Sequence, residues 1–175
     1  MDNKTYLEAS ARTASAQFHG DKITPSMIEM ALKEAIATGN MLDAIKKGIY
    51  YGKSLPENHP ALDLKDTESD LDPRAIDQDI LHAALGVYTE ATEMLEAIFL
   101  TMKGAEFDKV NAAEELGDAE WYMAMFYRAL GETPENVKKV NIEKLRHRYP
   151  EKFRSMDAID RDLDTERNIL EKGHS

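Results

Sequence analysis

The sequence predicts an all-α protein, a helical bundle in which an antiparallel helix hairpin carries two acidic pairs. Three observations predict it. Apolar residues recur at three- and four-residue spacing along most of the chain. Helix-start signals stand ahead of the main apolar runs, at Thr24-Pro25, Asp72-Pro73, Asp108 and Thr133-Pro134. Two carboxylate pairs, Glu90 with Glu93 and Glu115 with Asp118, sit inside helical patterns at i, i+3.

In chain order, residues 4–18 read as a small-residue helix with Tyr6, Leu7, Ala11, Ala14 and Phe18 as its stripe, ended by Gly20-Asp21. Such a stripe needs a packing partner, because short isolated helices are marginal in water. A second helix starts at Thr24-Pro25 and carries Met27, Ile28, Ala31, Leu32, Ala35 and Ile36. Gly39-Asn40 is expected to stop or bend it, and Met41 to Tyr50 to form a further short helix ending at Gly52. Lys46, Lys47 and Lys53 along that piece read as a solvated face, with contact to a substrate phosphate as the alternative. Residues 54–72 hold Pro56, Pro60 and several acids without periodicity, and read as loop.

Asp72-Pro73 is expected to open a long helix reaching Lys103-Gly104, the first to carry an acidic pair. Gly86 lies inside it, one turn before Glu90. A mid-helix glycine costs about 1 kcal/mol relative to alanine, so close packing against another helix is the expected reason for it. Asp108 caps the second acidic helix, running to Leu130-Gly131. The 21 residues between Glu93 and Glu115 allow two to three turns out, a connection through Gly104 and two turns back, which sets the pairs side by side. Thr133-Pro134 caps a third helix to about His147, with Val137, Val140, Ile142 and Leu145 apolar. The charged tail from Ser155 reads as a docking helix or a loose end. The chain falls into three segments, taken as parts of one domain: 1–72, N-terminal helices and acidic loop; 73–153, the core; and 154–175, the tail.

Composition narrows the function classes. The net charge is −11, with 33 acids. That argues against a DNA or RNA duplex as partner, since phosphate backbones need a basic surface. There are no cysteines, so disulfides and thiolate chemistry are excluded. No apolar run approaches the roughly 20 residues of a membrane span. The N-terminus lacks an apolar signal core, so a cytoplasmic protein with no membrane partner is expected. The sequence has no internal repeat, Gly-rich phosphate loop or nucleophile motif. His82 has no metal-ligand residue at i+4, and both it and His147 read as structural.

Four acids converging from two packed helices repel one another and resist burial. A divalent cation removes that penalty. An all-carboxylate set suits Mg²⁺, with Mn²⁺ as the alternative, and Mg²⁺ held this way draws further ligands from substrate phosphates. A run of basic residues follows the acidic helices, from Lys138 to Arg154. Within it Asn141, Lys144 and Arg148 share one helix side, where the two cations suit phosphate oxygens, with a solvated face as the alternative. Trp121 stands one turn past Asp118, and Tyr122 two turns past Glu115 on the same helical face. Core packing is expected for at least one of them, and an aromatic this close to a metal site could instead stack on a nucleobase.

Three blocks together, Leu81 to Glu93, Glu114 to Tyr122 and Asn141 to Phe153, resemble the MazG-like all-α nucleoside triphosphate pyrophosphohydrolases. That family's signature is E-x-x-E followed by E-x-x-D, which here falls on Glu90, Glu93, Glu115 and Asp118. The resemblance spans a little under half of the chain and makes 73–153 a MazG-like catalytic core. It implies hydrolysis of a nucleoside or deoxynucleoside triphosphate between the α and β phosphorus atoms, to monophosphate and pyrophosphate. It further implies Mg²⁺ held by Glu90, Glu93, Glu115 and Asp118, with one carboxylate or a metal-bound hydroxide as base, and Glu96 and Glu114 as nearby alternatives. Trp121, Tyr122, Asn141, Lys144 and Arg148 are the implied substrate contacts, and a homodimer or homotetramer the implied assembly. Open alternatives are a narrow-substrate relative acting on one deoxynucleotide or on phosphoribosyl-ATP, a metal- or nucleotide-binding helical oligomer without turnover, and a structural oligomer whose acids are solvated.

Overall fold

A computed structural model describes residues 1–15, 20–64 and 67–174. Among these there are seven α-helices and no strand: α1 (Asn3–Ala11), α2 (Pro25–Tyr51), α3 (Gln78–Met102), α4 (Lys109–Leu130), α5 (Pro134–Arg148), α6 (Ser155–Ile159) and α7 (Leu163–Gly173). Among the described residues no helix is long and apolar enough to cross a membrane. The helices group into two compact units, Asp21–Leu130 and Met1–Gly20 with Gly131–Ser175. This grouping follows packing and cuts across the sequence segments 1–72, 73–153 and 154–175.

In the unit of residues 21–130, α2, α3 and α4 pack together, with α3 against α4 the most extensive pairing. Thr24 caps α2 by accepting from the Met27 N–H, and Pro25 occupies its first turn. The helix then runs unbroken to Tyr51, where Gly52 ends it in the left-handed conformation at φ 66°. The expected break at Gly39-Asn40 is absent. Gly39 is buried, and a Cβ there would overlap Cγ2 of Thr92 on α3. Its missing side chain serves close helix contact, not chain reversal.

Helix α3 starts later than expected. Asp72 caps only a short 3₁₀ turn, Pro73–Ala75. Asp77 is the cap of α3, its carboxylate accepting from the N–H groups of Asp79 and Ile80. Asp108 caps α4 as expected, accepting from Val110 and Asn111. Gly86 on α3 lies against the Tyr122 ring on α4, where a Cβ would overlap Cδ1. Glu90, one turn further along α3, faces Glu115 and Asp118, which precede Tyr122 on α4. The two helices therefore run in opposite directions at this contact.

In the other unit, α5 packs on α1 and α7. Helix α1 is shorter than the expected 4–18 and ends at Ala11. The hydroxyls of Ser10 and Thr13 donate to the carbonyls of Leu7 and Ser10, offering the backbone a local alternative to further helix. Phe18, expected on its stripe, lies outside the described residues. Among the described residues of this unit, Val140, Ile142 and Tyr149 are the buried apolar ones. Part of the charged tail is the docking helix α7, which buries Glu166.

Candidate metal centre

Gly86 and Tyr122 set α3 and α4 close enough for their carboxylates to meet. Glu90, Glu115 and Asp118 each offer an oxygen within 4.8 Å of the other two. Glu90 and Glu115 are buried, and Asp118 is exposed. Glu93 does not join this close group. It lines, with Glu115 and Glu96, an open cleft of about 390 Å³ that Asp108, Asn111 and Asn40 also border. Of the four signature acids, three are thus gathered, and the fourth stands beside them at the cleft.

The electrostatics report crowding. Burial first, then Glu93 and Glu90, pushes the Glu115 carboxyl up to about 7. Glu93 is raised as well, by desolvation and then by Glu90 and Asp43, although its side chain is exposed at the cleft. Raised carboxyls mark negative charge that lacks full compensation. A three-oxygen set of hard, crowded carboxylates fits a hard divalent cation such as Mg²⁺.

One compensating charge comes from α2. Lys46 is 3% exposed. Its ammonium donates to Oγ1 of Thr89 at 2.7 Å and lies 3.3 Å from Asp43 and 3.5 Å from Oε1 of Glu90. It also stands 4.9 Å above the Tyr122 ring centre. Lys46 is therefore not part of a solvated face, which corrects that expectation. Lys47 pairs with Asp43 and is half-exposed. Sequence reasoning missed Asp43 and Thr89 altogether. A signal existed: Leu32, Ile36, Gly39, Asp43, Lys46 and Tyr50 form a three- to four-residue stripe, so an acid and a lysine stand on the core-facing side of α2.

The two aromatics separate cleanly. Tyr122 is core: its ring is buried, packs edge-on to His82, and its hydroxyl lies 3.4 Å from that of Tyr51. Burial, then Tyr51, raises the Tyr122 phenol above its ordinary value. Trp121 is 56% exposed and meets Tyr122 edge-on, leaving indole surface open. His82 stacks on Tyr50 with ring centres 3.8 Å apart, and burial, then Lys46, lowers its pKa.

The remaining expected substrate contacts, Asn141, Lys144 and Arg148, belong to the other unit. Arg148 is committed there. Its Nε and Nη2 donate to the two Glu166 oxygens at 2.7 and 2.5 Å, and Arg161 adds a third bond at 2.6 Å. Hydrogen bonds from Arg148, outweighing burial, hold Glu166 down at about 2. Arg148 is thus a structural ion-pair partner here. The side-chain oxygen of Asn141 is buried without a hydrogen-bond partner.

The fold and the site define an all-α protein with an acidic cluster, two of its three carboxylates buried, on packed helices. Comparison with protein-family models, with curated proteins and with solved structures finds no match for the chain.

Proposed function

We propose that the chain is a Mg²⁺-dependent nucleoside triphosphate pyrophosphohydrolase of the MazG-like kind, releasing a nucleoside or deoxynucleoside monophosphate and pyrophosphate. The observation that carries this reading is the meeting of Glu90, Glu115 and Asp118 within 4.8 Å on two helices packed through Gly86. Both acidic pairs of the resemblance contribute to it. Bound there, a divalent cation supplies positive charge for substrate phosphates and lowers the pKa of a water. Glu90 and Glu115, buried and fixed, would hold it with Asp118. Glu93, outside the close group and raised in pKa, suits the role of proton acceptor for the attacking water. The water oxygen bonds to the α phosphorus as the bond from that phosphorus to the α–β bridging oxygen breaks, and pyrophosphate leaves. The exposed indole of Trp121 suits stacking on a base.

The homodimer or homotetramer belongs to the same reading. Exposed apolar side chains on all three helices of this unit, including Met30, Met102, Val110 and Leu116, support coverage by a second copy. The test is to incubate the protein with each of the eight common NTPs and dNTPs and Mg²⁺, then separate the products. Monophosphate with pyrophosphate is expected. Diphosphate with phosphate would overturn the cleavage position, and metal-dependent stabilisation without turnover would leave a binding protein.

A further inference from the structure

Lys46 is the one buried cation at the cluster among the described residues, and the proposed reaction gives it no task. Burying an ammonium is costly unless it is fully paired. Here the hydroxyl of Thr89, the carboxylates of Asp43 and Glu90 and the face of Tyr122 all receive it. Each of these partners is itself held. Thr89 is 1% exposed and sits one residue before Glu90. Its hydroxyl is within hydrogen-bond distance of the Gly86 carbonyl at 2.9 Å and of Glu90 Oε1 at 3.2 Å. Tyr122 is fixed against Gly86. The ammonium therefore cannot leave Glu90 without breaking packed structure.

We infer that Lys46 is the built-in counter-ion of this cluster: its ammonium competes with a divalent cation for Glu90, and so sets how tightly the site takes one. This rests on the reading of the cluster as a metal site. The ammonium lies one carboxylate away from whatever Glu90 holds. A unit charge at that range alters the affinity for a doubly charged ion by about tenfold or more, even with strong screening. A lysine that merely stabilised packing would act in the other direction, because its loss would loosen Glu90 and weaken binding.

The test is Mn²⁺ binding, followed by loss of the free-ion EPR signal, in wild type, Lys46→Met and Lys46→Arg, with helix content checked by circular dichroism. Lys46→Met is expected to bind Mn²⁺ at least tenfold more tightly than wild type, and Lys46→Arg, which keeps the charge, within about threefold of it. Unchanged or weaker binding by a helical Lys46→Met overturns the inference and leaves the metal site intact. No Mn²⁺ binding by the wild type overturns the metal-site reading itself. Should Lys46→Met not fold, ammonium-selective NMR of the wild type decides. The Lys46 Nζ resonance is expected to shift on Mg²⁺ addition and saturate with the binding curve, and a resonance that stays put while the ion binds overturns the inference.

Discussion

Glu115→Gln replaces the carboxylate that burial and its neighbours push hardest with a neutral side chain of the same shape. In the metal-free protein its pKa is about 7 against an ordinary 4.5. A folded-state value above the unfolded one means the folded protein binds the extra proton. The stability tied to that proton is fully present below pH 4.5 and is lost as pH rises through about 7. Each tenfold difference in proton affinity between the folded and unfolded chain is worth about 1.4 kcal/mol, so the metal-free wild type loses at most about 3 kcal/mol over that interval. Glu115→Gln escapes this loss. At pH 8, without metal, it is expected to melt above the wild type, by at most roughly 6–12 °C given about 2–4 °C per kcal/mol for a chain of this size. At pH 4.5 the two should melt within a degree or two. Addition of 10 mM Mg²⁺ at pH 8 should raise the wild-type Tm and leave the variant where it was, since a ligand stabilises only the protein that binds it. Differential scanning calorimetry at the two pH values, with and without Mg²⁺, measures all of this. A variant that melts below the wild type at pH 8, or by the same margin at both pH values, would refute uncompensated charge on Glu115.

Other substitutions probe the packing that makes the site. Gly86→Ala must displace the Tyr122 ring, which its Cβ would overlap, so a net loss of about 2 kcal/mol is expected by denaturant titration, whereas Gly117→Ala, which meets nothing, should gain up to about 1 kcal/mol. Glu166→Gln breaks the buried pair with Arg148 and should cost about 3 kcal/mol at pH 7. Because the Glu166 pKa is depressed to about 2, that contribution is present above pH 4.5 and fades as pH falls towards 2, which acid titration of both proteins should follow. Trp121→Ala should raise KM severalfold with an unchanged circular dichroism spectrum, and an unchanged KM would make the exposed indole irrelevant to substrate.

Much of the helical plan was legible because caps and periodicity are local. Thr24, Asp108 and Thr133 cap where they were expected to, and Gly86 packs for the reason its position suggested. Errors arose where tertiary contact overrides local preference. Gly39 reads as a breaker but is a contact point for Thr92, and Asp72-Pro73 reads as a helix start but opens only one 3₁₀ turn before Asp77 takes the cap. At the site, i, i+3 spacing brought out the acids of α3 and α4. Lys46 and Asp43 needed a different signal, their place on the core-facing stripe of α2, because a lysine on a helix is usually solvated and its packing against α3 and α4 makes this one buried. The basic block after α4 read as phosphate ligands, yet Arg148 is taken by Glu166, an acid 18 residues further along the chain that no local pattern connects to it.

The most direct measurement is hydrolysis of a nucleoside triphosphate by the wild type and by Asp118→Asn in ¹⁸O-labelled water with Mg²⁺, with ³¹P NMR locating the label. Cleavage by the wild type with the label in the monophosphate, and loss of turnover in a folded Asp118→Asn, is the predicted result. Label in pyrophosphate or orthophosphate, or undiminished turnover by Asp118→Asn, would contradict it.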